Sequence, residues 1–293
     1  MLAVDALTDF LSNPTVKLPL DDLPKHWRRS RLKVTCQVPS GFEGGTWFVA
    51  AVRGAWGHRL IELDGGRTDG ELLRGLFRSE LIFEPGRSLP APYTLSVDGN
   101  GKTLLVELTL NGIADYWRQK AFDALTSALQ IGISIRPERR GRRVPIEILD
   151  ANWVRTESIT VPMPTGSSRL LFKTPVRLGP RRSLRTHWPD LIVALADRVS
   201  RLARWQGITI EPQLGRWRDL AEKLEFRDEE MVFESWGRRS GAQGGRYVPM
   251  MGMRGTIDIV RTPPEALVLL AIGQHTFVGG HTALGLGRYE LLC

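Results

Sequence analysis

GQHTFVGGHTALGLGRYEL, residues 273–291, is a glycine-rich segment between a predicted short apolar helix and a predicted last strand. Its glycines are Gly273, Gly279, Gly280, Gly285 and Gly287. Such a segment lets backbone N–H groups approach a phosphate closely, because no Cβ stands between them. It contains no Gly-Lys-Ser/Thr and it precedes a strand, which excludes a Walker A loop and a dinucleotide-binding fingerprint. A flexible hairpin without a ligand is the alternative that the glycine count leaves open.

The order of elements around this segment occurs twice along the chain. In the second half, apolar periodicity predicts strand Leu170–Val176, helix Pro189–Trp205, strands Met231–Trp236 and Gly252–Val260, helix Pro264–Ile272 and strand Arg288–Leu292. In the first half it predicts strand Arg31–Val38, helix Trp47–Leu63, strands Ser79–Phe83, Tyr93–Val97 and Leu104–Leu110, helix Asp115–Leu129, and strands Ile133–Ile135 and Val144–Leu149. Both halves therefore approximate a β-α-β-β-α-β order.

This order predicts an α+β protein of two tandem ferredoxin-like (RRM-like) domains, with the glycine-rich segment in the second. We expect the domains at residues 1–150 and 151–293, because Pro162, Pro164 and Gly166 interrupt the chain just beyond residue 150. A chain of 293 residues also suits two domains of ordinary size.

The composition is that of a soluble globular protein, with 42% hydrophobic and 25% charged residues. No apolar run approaches the roughly 18 residues of a membrane span, and the first residues show no basic signal-peptide region. We therefore expect a cytoplasmic protein without a membrane partner. Cys36 and Cys293 are too few for a disulfide framework or a zinc site, and the His, Asp and Glu spacing gives no metal motif. We expect neither a metal nor a cofactor.

The charge indicates an anionic partner. Lys and Arg total 40 against 32 Asp and Glu, which gives a net charge of +8. Only 7 of these cations are lysines, and the planar guanidinium of arginine suits phosphate binding and base stacking. Nucleic acid is therefore the favoured partner class. A GC-rich genome, which enriches arginine codons, is the alternative explanation.

The glycine-rich segment resembles the signature of the repeat-associated (RAMP) superfamily of CRISPR proteins, and in particular the pre-crRNA-processing endoribonucleases. Three other stretches are similar to that family in the same order along the chain. Val52–Leu60 resembles its first helix, Leu108–Gly112 with the following helix resembles its third strand and second helix, and Met251–Gly255 resembles the hairpin strand before its closing helix. The resemblance covers most of the chain, and residues 273–291 are its most specific part.

The resemblance implies a metal-independent endoribonuclease that binds CRISPR repeat RNA. In that family the 2′-hydroxyl attacks the adjacent phosphate and leaves a 2′,3′-cyclic phosphate and a 5′-hydroxyl. Such a reaction needs a general base, a general acid and cations for the transition state. The resemblance also implies that the mature crRNA can stay bound in an effector complex, which would make other complex subunits partners.

Two histidines are candidates for the acid–base steps. His58 lies on the first predicted helix, where many relatives carry a catalytic histidine. His26 lies in the basic aromatic cluster Lys25-His26-Trp27-Arg28-Arg29. A structural role for His58, and a site that uses only arginine cations, are the alternatives.

Three sets of residues are candidates for RNA binding. The first is a compact basic loop with Arg136, Arg139, Arg140, Arg142 and Arg143. The second is a row of arginines at i, i+3 spacing on one flank of the helix Pro189–Trp205, namely Arg198, Arg201 and Arg204. The third belongs to the glycine-rich segment, namely Gly279, Gly280, His281, Gly285, Gly287 and Arg288. For both arginine sets, an ordinary solvated surface is the alternative.

Two other functions remain open at the level of sequence. A catalytically silent RAMP subunit could line or cap a guide-RNA complex, and an unrelated RNA-binding protein could use the same type of domain. A small-molecule enzyme is disfavoured because the sequence carries no nucleotide or metal motif.

Overall fold

The computed structural model describes residues 4–66, 72–78, 82–84, 87–135, 143–164, 166–179, 186–210, 214–228, 230–240 and 246–292. These residues form two compact units, each built from three segments of the chain. Unit 1 comprises Met1–Asn13, Arg28–Thr156 and Gly237–Val248, and unit 2 comprises Pro14–Trp27, Glu157–Trp236 and Pro249–Cys293. Among the described residues, no helix combines the length and apolar character needed to cross a membrane.

The helices and strands are mixed along the chain, which confirms the α+β class. The α-helices are α1 (Val4–Ser12), α2 (Thr46–Leu63), α3 (Arg118–Ile131), α4 (Asp190–Ala203), α5 (Leu214–Ala221) and α6 (Pro264–Thr276). The strands are β1 (Val16–Lys17), β2 (Arg29–Gln37), β3 (Ile82–Glu84), β4 (Arg87–Ser88), β5 (Tyr93–Gly99), β6 (Thr103–Asn111), β7 (Ile133–Ser134), β8 (Arg143–Val144), β9 (Ile148–Thr156), β10 (Ser168–Val176), β11 (Ile208–Thr209), β12 (Glu225–Arg227), β13 (Val232–Ser240), β14 (Arg246–Val260) and β15 (Tyr289–Leu292).

Unit 1 contains a four-stranded antiparallel sheet in the order β5-β6-β2-β9. Strand β2 forms because its residues alternate, so that Ser30, Leu32, Val34 and Cys36 are buried and their neighbours are less covered. Helices α2 and α3 pack against each other, and both contact strands of this sheet.

A cluster of aromatic side chains fixes α2 within unit 1. Trp56 is fully buried and lies edge-on to Phe77 and Tyr93. The guanidinium of Arg53 lies 4.1 Å from the centre of the Phe77 ring, and its Nε donates a 2.6 Å hydrogen bond to the Tyr93 hydroxyl. Gly57 has no Cβ, and one built there would overlap the Phe77 ring. This face of α2 therefore packs against the aromatic side chains of unit 1.

Unit 2 contains the second sheet, in the order β12-β14-β10-β15, with β13 also paired to β14. Strand β10 pairs antiparallel with β14 and with the last strand β15. Helices α4 and α6 contact each other, and α6 also contacts β15. Both sheets thus place their principal strands in the same relative order: second, third, first, fourth.

The structure differs from the sequence predictions mainly between the principal elements. The strand that closes the first sheet is β9, whereas the predicted strand Val144–Leu149 is divided between the ends of β8 and β9. Strand β9 crosses residue 150, and unit 1 continues to Thr156. A π-helix at Leu72–Arg78, just before the predicted strand Ser79–Phe83, was not predicted. In unit 2 the elements β11, α5 and β12 were also not predicted.

Candidate nucleic-acid interface

The glycine-rich loop, residues 277–288, connects α6 to β15 in unit 2. Five of its residues have a backbone conformation with a positive φ: Phe277, Gly279, His281, Gly285 and Gly287. A one-turn 3-10 helix, Thr282–Leu284, lies in its centre. Phe277 and His281 adopt this conformation although they carry a Cβ, which is uncommon for such residues. The loop therefore has a defined path that its neighbours enforce.

Hydrogen bonds attach the glycine-rich loop to the end of β10. The N–H groups of Gly280 and Gly287 donate to the carbonyl oxygens of Arg177 and Pro175, each at 3.0 Å. The Thr174 hydroxyl donates to the Gly285 carbonyl at 2.8 Å. A Cβ on Gly279 would overlap the Arg177 carbonyl oxygen. These glycines thus permit close packing, and the N–H groups of Gly280 and Gly287 serve contacts within the chain.

A cavity of about 370 Å³ lies between the start of this loop and α4. Its lining includes Arg177, Arg198, Arg201, Gly279, Gly280 and His281. Asp197 is the acidic residue of the lining, so the three arginines leave it with a positive balance. A concave site of this size and charge suits an anionic group such as a phosphate. We call it the loop cavity.

Arg198 is buried in unit 2, with 8% of its surface exposed. Its Nε donates a 2.8 Å hydrogen bond to the carbonyl oxygen of Thr276, the last residue of α6. Burial, together with the nearby charge of Arg201, lowers the pKa of Arg198 to about 9, so its side chain remains charged at neutral pH. Arg198 thus fixes the end of α6, where the glycine-rich loop begins. The alternative of an ordinary solvated surface does not apply to this residue.

Arg201 and Arg204 differ from Arg198 in their surroundings. Arg201 forms an ion pair with Asp197 one turn earlier on α4, and its side chain is partly exposed at the loop cavity. Arg204 begins a 3-10 helix, Arg204–Gln206, after the end of α4. The i, i+3 spacing therefore brings Arg198 and Arg201 to one cavity, whereas Arg204 is not among its lining residues.

Arg177 is a cavity residue that sequence reasoning missed. It follows the last residue of β10, and its Nη2 is buried without a hydrogen-bond partner among the described residues. A buried guanidinium donor without an acceptor carries a desolvation cost that an anion in the cavity would offset. In the sequence Arg177 is a single arginine after a predicted strand, and such a residue does not indicate phosphate binding. Its place in the cavity depends on the glycine-rich loop, which returns to the end of the same strand.

The two candidate catalytic histidines lie in different units. His58 is exposed on α2 of unit 1, and its side chain makes no hydrogen bond to another described residue. His26 is exposed at the end of a 3-10 helix, Leu20–His26, in unit 2. Neither lines the loop cavity.

The remaining predicted RNA-binding residues have the following positions. Arg136, Arg139, Arg140 and Arg142 lie outside the described residues, and Arg143 is exposed in β8. Arg288 is partly buried, and its backbone N–H donates to the Thr174 hydroxyl at 3.0 Å. Gly285 and Gly287 belong to the loop but do not line the cavity. Within the described part of the chain, no cluster of three or more His, Cys, Asp or Glu side chains could hold a metal ion.

No known family model and no curated protein matches the sequence. Solved structures do match the fold over nearly the whole chain. The Cas6 (TTHB231) product complex, a Thermus thermophilus protein, aligns with a TM-score of 0.58 and 17% identity over 92% of this chain and 100% of its own. The Cas6 (TTHA0078) product complex aligns with a TM-score of 0.57 and 16% identity, over 91% of this chain and 100% of its own.

The chain has the Cas6 fold. A third match, the partial Cas6-RT-Cas1–Cas2 complex, has a TM-score of 0.52 and 13% identity, and covers 92% of this chain but 46% of the other. The Cas6 fold confirms, at the level of architecture, the resemblance to pre-crRNA-processing proteins that the glycine-rich segment indicated. At identities of this size the similarity extends to the architecture and not to individual site residues.

Proposed function

We propose that this protein binds CRISPR repeat RNA and cleaves it as a metal-independent endoribonuclease. The observation that carries the proposal is the loop cavity, where Arg177 offers a buried donor without an acceptor beside Arg198, Arg201 and the glycine-rich loop. A phosphate of the RNA backbone supplies the missing acceptor and balances the positive charge. The Cas6 fold and the net charge of +8 support RNA as the source of that phosphate.

The proposal includes an organisation into two tandem ferredoxin-like domains, expected from the sequence at residues 1–150 and 151–293, with β9 continuing the sheet of the first domain to Thr156. It is supported by the repeated strand order of the two sheets and by the helix pairs α2/α3 and α4/α6. In this organisation each domain supplies one part of the activity. The first carries the candidate acid–base residue His58, and the second carries the glycine-rich loop and the loop cavity.

In the proposed reaction the 2′-hydroxyl of one nucleotide attacks the adjacent phosphate. The oxygen–phosphorus bond to the next nucleotide breaks, which leaves a 2′,3′-cyclic phosphate and a 5′-hydroxyl. The proton of the 2′-hydroxyl passes to a base, and the leaving oxygen receives a proton from an acid. His58, with His26 as the second candidate, is suited to one of these transfers because a histidine changes charge near neutral pH. Arginines stabilise the charge that develops on the phosphate.

After cleavage, the mature crRNA stays bound through the same cations. The protein would then be a subunit of an effector complex, in the cytoplasm, with repeat RNA and other complex subunits as its partners. The loop cavity equally suits a catalytically silent RAMP-type subunit, since its arginines bind phosphate without transferring protons.

A cleavage assay on cognate repeat RNA tests the proposal. We expect a cut at one phosphate, at the same rate with and without EDTA, and no cut when the scissile nucleotide carries a 2′-deoxy ribose. The product ends should be a 2′,3′-cyclic phosphate and a 5′-hydroxyl. Cleavage of the deoxy substrate would exclude the 2′-hydroxyl mechanism, and loss of cleavage in EDTA would exclude metal independence.

A binding assay on the same RNA separates the enzyme from the silent subunit. A stable complex with uncut RNA would assign the protein to the silent RAMP-type subunits. A complex that forms equally well with an unrelated RNA of the same length would contradict recognition of the repeat.

A further inference from the structure

A second cavity, of about 320 Å³, lies within unit 1. It is formed where β2 begins and where β6 and β9 end, because these antiparallel strands place Arg29 opposite Asn111 and Thr156. The turn after β6 and the side chain of Phe10 from α1 complete its wall. We call it the strand-end cavity. It shares no residue with the loop cavity.

Three arginines give the strand-end cavity a positive charge. Arg28 and Arg29 reach it from the start of β2, and Arg155 reaches it from the end of β9. Burial, together with the neighbouring charge of Arg31, lowers the pKa of Arg29 to about 10, so its guanidinium is charged but poorly solvated. An anion beside Arg29 would relieve that cost. Asp115 is the acidic residue of the lining, and its Oδ2 lies 3.8 Å from Arg118.

Two buried oxygens of the lining have no hydrogen-bond partner among the described residues. They are Oγ of Ser30, a residue only 2% exposed, and Oδ1 of Asp115. A buried polar atom without a partner is costly and uncommon, and it often marks a place where a ligand or water binds. Rotation of the Ser30 hydroxyl lets it donate or accept, whereas the Asp115 oxygen requires a donor. Hydroxyl and amino groups of a nucleoside provide both kinds of partner.

Tyr116 adds an exposed aromatic ring to the rim of the strand-end cavity. It is 54% exposed although it adjoins the fully packed Trp117, against which it lies edge-on at 5.9 Å. An aromatic side chain left open next to cations is the combination that binds an unpaired base and its phosphate. A duplex would not fit, because its bases are stacked on one another.

We propose that the strand-end cavity binds one nucleotide of a single-stranded RNA segment, with the phosphate at Arg28, Arg29 and Arg155 and the base on Tyr116. The nucleoside hydroxyl or amino groups occupy the unpartnered oxygens of Ser30 and Asp115. This site goes beyond the proposed cleavage, since it needs neither the glycine-rich loop nor a catalytic histidine. It gives unit 1 a contact with an unpaired part of the RNA.

Calorimetric titration of the whole 293-residue chain tests this site with adenosine 5′-monophosphate, inorganic phosphate, adenosine and a short single-stranded oligoribonucleotide. We expect the monophosphate to bind more tightly than phosphate or adenosine alone, and the oligoribonucleotide to displace it. Arg29→Gln should weaken monophosphate binding at least about tenfold, because a hydrogen bond between two charged groups is lost. Tyr116→Ala should weaken it about fivefold or more through lost stacking.

Lys33→Gln is the matched control. Lys33 lies on the same face of β2 four residues further on, is opposite Glu107 of β6, and does not line the cavity. We expect it to leave monophosphate binding unchanged. Equal binding by Arg29→Gln and the original protein would overturn the proposal, and so would phosphate binding as tightly as the monophosphate. Failure of the oligoribonucleotide to displace the monophosphate would overturn its assignment to RNA.

Discussion

Arg177 and Arg198 line the same cavity but differ in the partners of their guanidinium groups. Arg198 is held by the Thr276 carbonyl at 2.8 Å, so part of its hydrogen-bonding capacity is already used to position the glycine-rich loop. Arg177 has a buried Nη2 without a partner in the described structure. Truncating Arg198 would therefore disturb the loop itself, whereas truncating Arg177 removes a donor that the folded chain does not use. Arg177 is the better probe of phosphate binding.

Arg177→Gln should weaken RNA binding while leaving the free energy of unfolding almost unchanged. Each phosphate contact releases bound cations from RNA, so affinity falls as salt increases. The loss of one contact makes the plot of log affinity against log salt less steep by about one unit of slope. The measurement is a series of RNA titrations at increasing salt, beside thermal unfolding of the free protein.

Lys173→Gln is the control for Arg177→Gln. Lys173 lies on β10, four residues before Arg177, and is paired with Glu290 at 3.0 Å, away from the loop cavity. It removes one positive charge from the same unit, and its salt slope should equal that of the original protein. If both variants change the slope equally, the effect belongs to net charge and the assignment of Arg177 is wrong.

His58 differs from these arginines, because its proposed role is proton transfer and does not involve a contact with another residue of the chain. It is exposed on α2, and its neighbours Trp56 and Gly57 face the aromatic core. Truncation to alanine therefore leaves the packing of the helix intact. We expect His58→Ala to slow single-turnover cleavage by about 100-fold or more, within the range of general acid–base catalysis, with nearly constant RNA affinity.

His26→Ala, measured in the same cleavage assay, is the variant to compare with His58→Ala. His26 is also exposed, so both variants should fold normally. Cleavage by His58→Ala within a few-fold of the original rate would contradict a catalytic role for His58. A large loss in His26→Ala alone would transfer that role to His26, and no loss in either would favour stabilisation by arginines only.

At the scale of elements, the sequence predicted those parts of the fold whose stability depends on local pattern. Strand β2 was expected from the alternation of Leu32, Val34 and Cys36, and these residues are buried. The apolar helix before the glycine-rich loop was also predicted, although α6 extends to Thr276. Alternation and apolar spacing are properties of neighbouring residues, so they can be read without knowing the tertiary structure.

Other elements depend on contacts that the sequence does not display. Strand β9 alternates weakly and is largely exposed, and it is defined by pairing with β2 along residues 148–156. The burial of Arg198 likewise depends on where α6 ends beside α4, because the Thr276 carbonyl is its partner. Arg177 was missed for the same reason. Each of these positions is determined by a residue far away in the chain.

Helix α2 contains two glycines whose substitution should have opposite effects. A Cβ on Gly54 would meet nothing within 4 Å, whereas one on Gly57 would overlap the Phe77 ring. Gly54→Ala should raise the free energy of unfolding by roughly 0.5–1 kcal/mol, because alanine loses less backbone entropy in a helix. Gly57→Ala should lower it by about 1–3 kcal/mol, because the ring and its neighbours must move. Urea unfolding of both variants measures the difference.

Equal stabilisation by the two alanines would show that Phe77 moves aside without cost. That outcome would contradict the view that the aromatic cluster of Trp56, Phe77 and Tyr93 fixes the position of α2. Because His58 follows Gly57 directly, Gly57→Ala should also lower cleavage if the position of this helix matters to the reaction.

At the scale of the whole molecule, Cys36 reports on the opening of unit 1. It lies on the buried face of β2 with no exposed surface, and burial raises the pKa of its thiol to about 11. A thiol with a raised pKa in the folded state stabilises the fold below the unfolded pKa, and this contribution is lost as the pH rises toward 11. Measurements at about pH 8 stay below this range and still leave an exposed thiol reactive.

Labelling of Cys36 in a Cys293→Ser variant should slow when repeat RNA is added. A thiol reagent reaches Cys36 only when unit 1 opens, so the labelling rate follows the population of open molecules. RNA that binds the closed form at about 100 times its Kd stabilises that form by about 2.7 kcal/mol, which predicts labelling about 100-fold slower. The expected slowing requires that RNA contacts unit 1, as the strand-end cavity and His58 imply. Unchanged labelling at saturating RNA would confine binding to unit 2 and its loop cavity, and Arg29→Gln should then have no effect on RNA affinity.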